Sequence, residues 1–211
     1  MSKFSSRLVP AIAPLLAATG FIPVCAMAQD GEIATERDSG VFVSQVGSAN
    51  VVNATQGSSD SDARVTQDGS NNSVELAQGS VGDHIARADQ FGDGNSLVAS
   101  QDGDGQAAVL LTQRGDENTA IIAQSDTGDV FSAATIFQTG NKNSLTLQQD
   151  GSDNQALLAQ NGDDNVMTAS QLGSGNRLEW TQDGSGRPDL NIIQEGGQSM
   201  QILQTNTGGS D

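Results

Sequence analysis

Residues 138–171 read QTGNKNSLTLQQDGSDNQALLAQNGDDNVMTASQ. Glutamine recurs every 11 residues, at Gln138, Gln149, Gln160 and Gln171, and Asn143, Asn154 and Asn165 each follow a glutamine by five. From each asparagine to the next glutamine the residues alternate in character. Asn143, Leu145, Leu147 and Gln149 share one side, and Ser144, Thr146 and Gln148 the other. Asn165, Met167, Ala169 and Gln171 repeat the arrangement. A period of two over seven residues is that of a strand with one buried face. The apolar residues never recur at three and four, which disfavours a helix. Between glutamine and asparagine lie turn formers, such as Asp150-Gly151-Ser152-Asp153 and Asn161-Gly162-Asp163-Asp164. Glycine accepts positive φ, and Asp and Asn tolerate it while bonding the local backbone.

The same unit extends in both directions. Glutamines stand at Gln45, Gln56, Gln67, Gln78, Gln90, Gln101, Gln113, Gln124, Gln138, Gln149, Gln160, Gln171, Gln182, Gln194 and Gln204. The matching asparagines are Asn50, Asn72, Asn95, Asn118, Asn143, Asn154, Asn165 and Asn176. The turns carry Gly47, Gly69, Gly92, Gly103, Gly115, Gly140, Gly151, Gly162, Gly173 and Gly184. Asp-Gly pairs suit a two-residue hairpin, so an antiparallel meander is the rival topology. That meander sets asparagine opposite glutamine. A β-arc between two facing sheets instead stacks like on like, and every strand repeats the order amide, apolar, apolar, amide. Two strands and two arcs make a coil of about 22 residues. The expectation is an all-β parallel β-solenoid of about seven coils over 45–204. Longer spacings place extra loop residues at 79–83, 103–107, 125–130 and 184–188.

A lone coil of this composition does not offset its ordering entropy. Stacking supplies backbone ladders and buried amide ladders, in which each Gln or Asn bonds its copy above and below. The ladder is expected to run through Gln45, Asn50, Gln56 and the later glutamines and asparagines as far as Gln182. Such a stack has two open ends. The shortened Gln194–Gln204 repeat, which lacks its asparagine, is a weak cap at most. Open ends of one repeating kind invite a second copy, and the expected product is a cross-β fibre.

Composition limits the other possibilities. The chain has 211 residues, a formal charge of −17, 25 Gly, one Cys, one His and no Tyr. Strong acidity argues against nucleic acid as a partner. One Cys excludes a disulfide framework, and no cofactor is expected. Met1–Ala28 reads as a secretory signal peptide, with Lys3 and Arg7 before an apolar run and Ala26-Met27-Ala28 before the cleavage point. Pro10, Pro14, Pro23 and Gly20 interrupt that run, which is short for a membrane span. Cleavage removes Cys25 together with Lys3 and Arg7, which takes the charge from −17 to −19. Residues 29–44 then form an N-terminal segment and 205–211 a tail.

The unit Q-x-G-x-x-N-x-A-x-x-x-Q resembles the curlin repeat of bacterial curli, a functional amyloid of biofilm matrix. Asn118 to Gln124, with Ala120, and Asn154 to Gln160, with Ala156, fit it with the alanine in place. The resemblance implies an extracellular, cell-surface fibre subunit for adhesion and biofilm, either major subunit or minor nucleator. It implies the chain itself as main partner, a surface nucleator subunit, and export through an outer-membrane pore. It also suggests export targeting for 29–44. The chain departs from the family in having more than the usual five coils, in the asparagines of its arcs and in its acidity.

Other functions are weaker. Turns such as Asp102-Gly103-Asp104 and Gly162-Asp163-Asp164 offer hard-cation ligands, so a calcium-binding solenoid is the alternative, as is a surface adhesin that does not polymerise. The nonapeptide calcium spacing is missing, however. An ice-binding face needs a regular outward Thr array, and the outward residues vary. No enzyme is expected. His84 reads as a lone loop or edge residue, and Asp163 and Asp164 as a solvated turn pair. Trp180 and Leu178 point inward, where most other strands are expected to carry small residues.

Overall fold

A computed structural model describes residues 40–79 and 81–205. The segment read as a signal peptide lies outside these residues, as do 29–39 and 206–211.

Fifteen strands follow one another in the order β1 (Gly40–Val46), β2 (Val51–Gln56), β3 (Asp62–Asp68), β4 (Ser73–Gln78), β5 (Ile85–Phe91), β6 (Ser96–Asp102), β7 (Ala107–Arg114) and β8 (Thr119–Ser125). They continue with β9 (Ser132–Thr139), β10 (Ser144–Asp150), β11 (Gln155–Asn161), β12 (Val166–Leu172), β13 (Arg177–Asp183), β14 (Ile192–Glu195) and β15 (Ser199–Thr205). Odd strands form an eight-stranded sheet in the order β1-β3-β5-β7-β9-β11-β13-β15, and even strands a seven-stranded sheet from β2 to β14. Every pairing is parallel. Consecutive strands thus lie in different sheets, joined by arcs, and the hairpin meander is excluded. The fold is a β-solenoid of about seven turns. Seven strand spacings of about 4.8 Å give a stack of about 34 Å.

The register follows the glutamines. Gln45 pairs with Gln67, Gln67 with Gln90, and so on to Gln204 in the odd sheet; Gln56 runs to Gln194 in the even sheet. β1 begins at Gly40, so the first strand takes in Gly40–Ser44 from the N-terminal segment 29–44.

The core is two facing columns of apolar side chains per sheet, closed at each edge by amides. Val65, Leu111, Ile136, Leu158 and Trp180 are each at most 1% exposed. Trp180 continues a column of Leu111, Ile136 and Leu158, so its neighbours are large, not small as the sequence suggested.

Two arc positions explain the turn chemistry. Two residues after glutamine, Gly140 has φ +106, and a Cβ there would lie 2.2 Å from the carbonyl oxygen of Gly162 in the next coil. The coils are so closely stacked at this point that only glycine fits. All ten arc glycines named above have positive φ. Four residues after glutamine, the chain is left-handed again at Ala49, Asn71, Glu117, Lys142, Asp153 and Asp164, with φ between 56 and 58. Gly94 and Gly175 take the same position without strain.

The longer arcs are not spread evenly. Gly79–His84 and 126–131 both lead from the even sheet to the odd one, and 184–191 leads the other way. The odd-to-even edge is therefore uniform through six coils, and the even-to-odd edge is not.

Candidate functional site: amide ladders and open ends

Each strand carries an inward glutamine at or one residue before its C-terminal end, so the repeat places its amides at the two edges of the core. In the odd sheet Gln67 Nε2 donates to Gln90 Oε1 (2.8 Å), Gln90 to Gln113 (2.8 Å), Gln113 to Gln138 (2.8 Å), Gln138 to Gln160 (2.9 Å) and Gln160 to Gln182 (2.9 Å). The even sheet runs Gln56, Gln78, Gln101, Gln124, Gln149, Gln171 and Gln194, with bonds of 2.6 to 3.0 Å. These side chains are buried from Gln67 to Gln194, while Gln45 is exposed and Asn50 and Gln56 half-buried at the first coil. A buried amide without partners is costly, and here each one is paired.

The asparagines divide between the edges. Asn50, Asn72, Asn95, Asn118, Asn143 and Asn165 form one unbroken column at the odd-to-even edge. Asn118 shows the pattern: its backbone N and its Nδ2 donate to Asn95 Oδ1 (3.1 and 3.0 Å), and Nδ2 also donates to Gly140 O (2.8 Å). Asn154 and Asn176 belong to the other edge, where Asn176 Nδ2 donates to Asn154 Oδ1 (3.0 Å). The register places Ser132, Ala107, His84 and Ser61 in the preceding coils of that column.

His84 is thus a ladder residue. It is fully buried, its backbone N donates to Ser61 Oγ (3.2 Å), and among the described residues neither ring nitrogen has a hydrogen-bond partner of good geometry. Burial pushes its imidazole below the ordinary pKa, against the opposing pull of the Val81 backbone and the Asp102, Asp83 and Asp126 carboxylates. Only the coil register locates it, because its own arc carries no asparagine to align. At the far end of the other column Arg187 N donates to Asn165 Oδ1 (2.9 Å), in the position of the next asparagine.

The ladders are directional. Each glutamine donates toward the C-terminal end of the stack, so the first coil presents the Oε1 of Gln45 and Gln56 without a donor among the described residues. At the last coil Gln204 Nε2 reaches only Pro188 O, at 3.3 Å. The backbone edges match as well. Gly40 N donates to Ser61 O, and Val46 O accepts from Gly69 N. In a parallel strand bonding alternates sides, so Val41, Val43 and Gln45 face outward. By the same alternation, Arg177 N bonding Gln198 O leaves Ser199, Gln201, Leu203 and Thr205 facing outward at the other end. Exposed apolar side chains gather at these coils: Val41, Phe42, Val43, Val46 and Val51 at one end, Ile193, Met200 and Leu203 at the other.

The outer faces differ in charge. Arg64, Arg87, Arg114 and Arg177 all lie on the odd sheet. Arg177 pairs with Asp153 (2.7 Å), Arg87 with Asp89 (3.0 Å), and Arg114 sits over the Phe91 ring (5.4 Å). The even sheet carries one mid-strand charge, Glu75. Among the described residues no three His, Asp or Glu side chains gather closely enough to hold a metal ion.

Comparison with known proteins agrees with this geometry. The model of the curlin associated repeat matches residues 151–184, which span the arc after β10, strands β11 and β12, and β13. No curated protein and no solved structure matches the chain. The matched segment is one and a half coils of a register that the whole stack repeats, so a curlin associated repeat is matched within the solenoid.

Proposed function

We propose that the chain is a secreted structural subunit that adds end to end into an extracellular curli-type fibre, serving adhesion and biofilm matrix. The observation that carries this is the complementarity of the two open ends. Placing a second copy on β15 in the register of the stack brings Gln204 onto Gln45, Ile202 onto Val43 and Met200 onto Val41. In the other sheet Gln194 meets Gln56 and Ile192 meets Ala54. The terminal amides Gln204 and Gln194, whose Nε2 atoms donate only to backbone carbonyls, then meet the Oε1 atoms of Gln45 and Gln56, and the outward backbone of one end meets that of the other. Such a contact is head-to-tail and does not close, so it propagates. The amide residues from Gln45 to Gln182 and the arc glycines are its self-assembly elements, because they set the spacing and register that the ends share. By family resemblance the wider partners are a surface nucleator subunit and an outer-membrane export pore.

Electron microscopy of the purified mature chain tests the reading, with Val43→Pro as the decisive variant. Val43 N points away from β3, so proline removes a donor that the folded monomer does not use, as on natural edge strands. Val43→Pro should keep the wild-type circular dichroism and fail to elongate. Wild-type protein that stays monomeric, or Val43→Pro fibres that grow at the wild-type rate, would overturn the proposal.

A further inference from the structure

The described chain contains seven junctions of Asp or Asn with a following glycine: Asp68-Gly69, Asp93-Gly94, Asp102-Gly103, Asp104-Gly105, Asp150-Gly151, Asn161-Gly162 and Asp183-Gly184. Such junctions are chemically weak. The glycine nitrogen attacks the side-chain carbonyl carbon, and glycine offers no side chain to hinder the approach. In six of the seven the coil stack holds that nitrogen. Gly69 donates to Val46 O (3.0 Å), Gly94 to Ser70 O (2.9 Å), Gly105 to Asp126 O (2.8 Å), Gly151 to Ser125 O (2.9 Å), Gly162 to Thr139 O (2.9 Å) and Gly184 to Asn161 O (2.9 Å). A nitrogen in an inter-coil ladder has to leave it before it reacts, and that local opening has a free-energy cost.

Gly103 is the exception. In the regular register it would donate to Gly79 O, as Asp126 N does to Asp102 O one coil later. That bond is absent, because after Gly79 the chain turns into the longer arc toward His84. Among the described residues the partner of Gly103 N is instead the side chain of its own neighbour, Asp102 Oδ1, at 2.9 Å. The attacking nitrogen and the carboxyl it would attack are already in contact. Asp102 is solvent-exposed, so water reaches the junction.

We propose that Asp102-Gly103 is a site of spontaneous succinimide and isoaspartate formation in the folded protein, the one such junction among the described residues whose glycine nitrogen has no inter-coil partner there. Gly103 N forms a bond to Cγ of the Asp102 carboxylic acid, the acid's hydroxyl leaves as water with the amide proton, and a five-membered imide results. Water then adds to either imide carbonyl. One opening restores aspartate; the other routes the main chain through Cβ and Cγ and leaves the former α-carboxyl as the side chain. The isoaspartyl product adds one carbon to the backbone directly after the Gln101 rung.

The test is an ageing experiment on the intact protein, in buffer at neutral pH and in parallel in concentrated urea, read by peptide mapping with fragmentation that distinguishes isoaspartate. In the folded protein isoaspartate at residue 102 should exceed that at each of the other five Asp-Gly junctions of the described residues several-fold, and the excess should vanish in urea. Asp102→Asn provides an internal comparison with Asn161, since both then lose ammonia by the same chemistry. In that folded variant residue 102 should deamidate well ahead of Asn161, and in urea the two should proceed together. Asp102→Glu, whose ring would have six members, should abolish the signal. Equal isoaspartate at the six Asp-Gly junctions of the described residues in the folded protein, or Asn161 deamidating first in folded Asp102→Asn, would overturn the proposal.

Discussion

Gln148 and Gln149 are adjacent, chemically identical and on opposite faces of β10, which makes them a direct measure of the ladder. Gln149 is buried. Its Nε2 donates to Gln171 Oε1 (2.7 Å) and Ala133 O (3.2 Å), and its Oε1 accepts from Gln124 Nε2 (2.6 Å). Gln148 is exposed. Gln149→Ala leaves Gln171 Oε1 without its donor and Gln124 Nε2 with one weaker partner, Ala108 O at 3.1 Å. An orphaned buried polar group costs about 1–3 kcal/mol, so two compromised groups cost about 2–5 kcal/mol together. Gln148→Ala removes nothing buried and should stay within about 0.5 kcal/mol. At an m-value of about 2 kcal/mol/M, a loss of 3 kcal/mol moves the urea midpoint down by about 1.5 M. Measurement in a Val43→Pro background keeps association out of the result. Equal midpoints for Gln148→Ala and Gln149→Ala would refute the claim that the buried amides hold the coils together.

Two further outcomes follow from the arcs. Because burial lowers the folded pKa of His84, the unfolded chain binds more protons below its ordinary value of about 6.5. Stability attributable to His84 is therefore present above about pH 6.5 and is lost as pH falls toward the folded pKa. His84→Asn, which restores the amide of the ladder column, should flatten the urea-midpoint difference between about pH 7.5 and pH 5.5, and an unchanged difference would contradict the assignment. Gly140→Ala forces a Cβ to 2.2 Å from Gly162 O at φ +106 and should cost several kcal/mol, whereas Gly186→Ala has φ +65 and open space and should cost about 1–2 kcal/mol. Comparable thermal midpoints for the two variants would refute the close stacking of the arcs at Gly140.

Much of this architecture was legible in the chain because a solenoid is nearly one-dimensional. The 11-residue glutamine spacing and the alternation from Asn143 to Gln149 determined the strand period, the inward face and the coil length. Repetition supplied the register, because shifting a coil by one residue would move its inward leucines to solvent. Other features depended on which coil lies beside which. The division of the asparagines between two edges follows from the alternation of sheets. The burial of His84 in the asparagine column depends on Ser61 and Ala107, 23 residues away on either side. The direction of the glutamine ladder is a choice among equivalent amide orientations, and it sets the complementarity of the two ends. The unprotected nitrogen of Gly103 depends on a neighbouring arc that is longer than its own. A sequence pattern states which residues recur. Hydrogen-bond partners across coils, and the groups left without one, exist only once the coils are stacked.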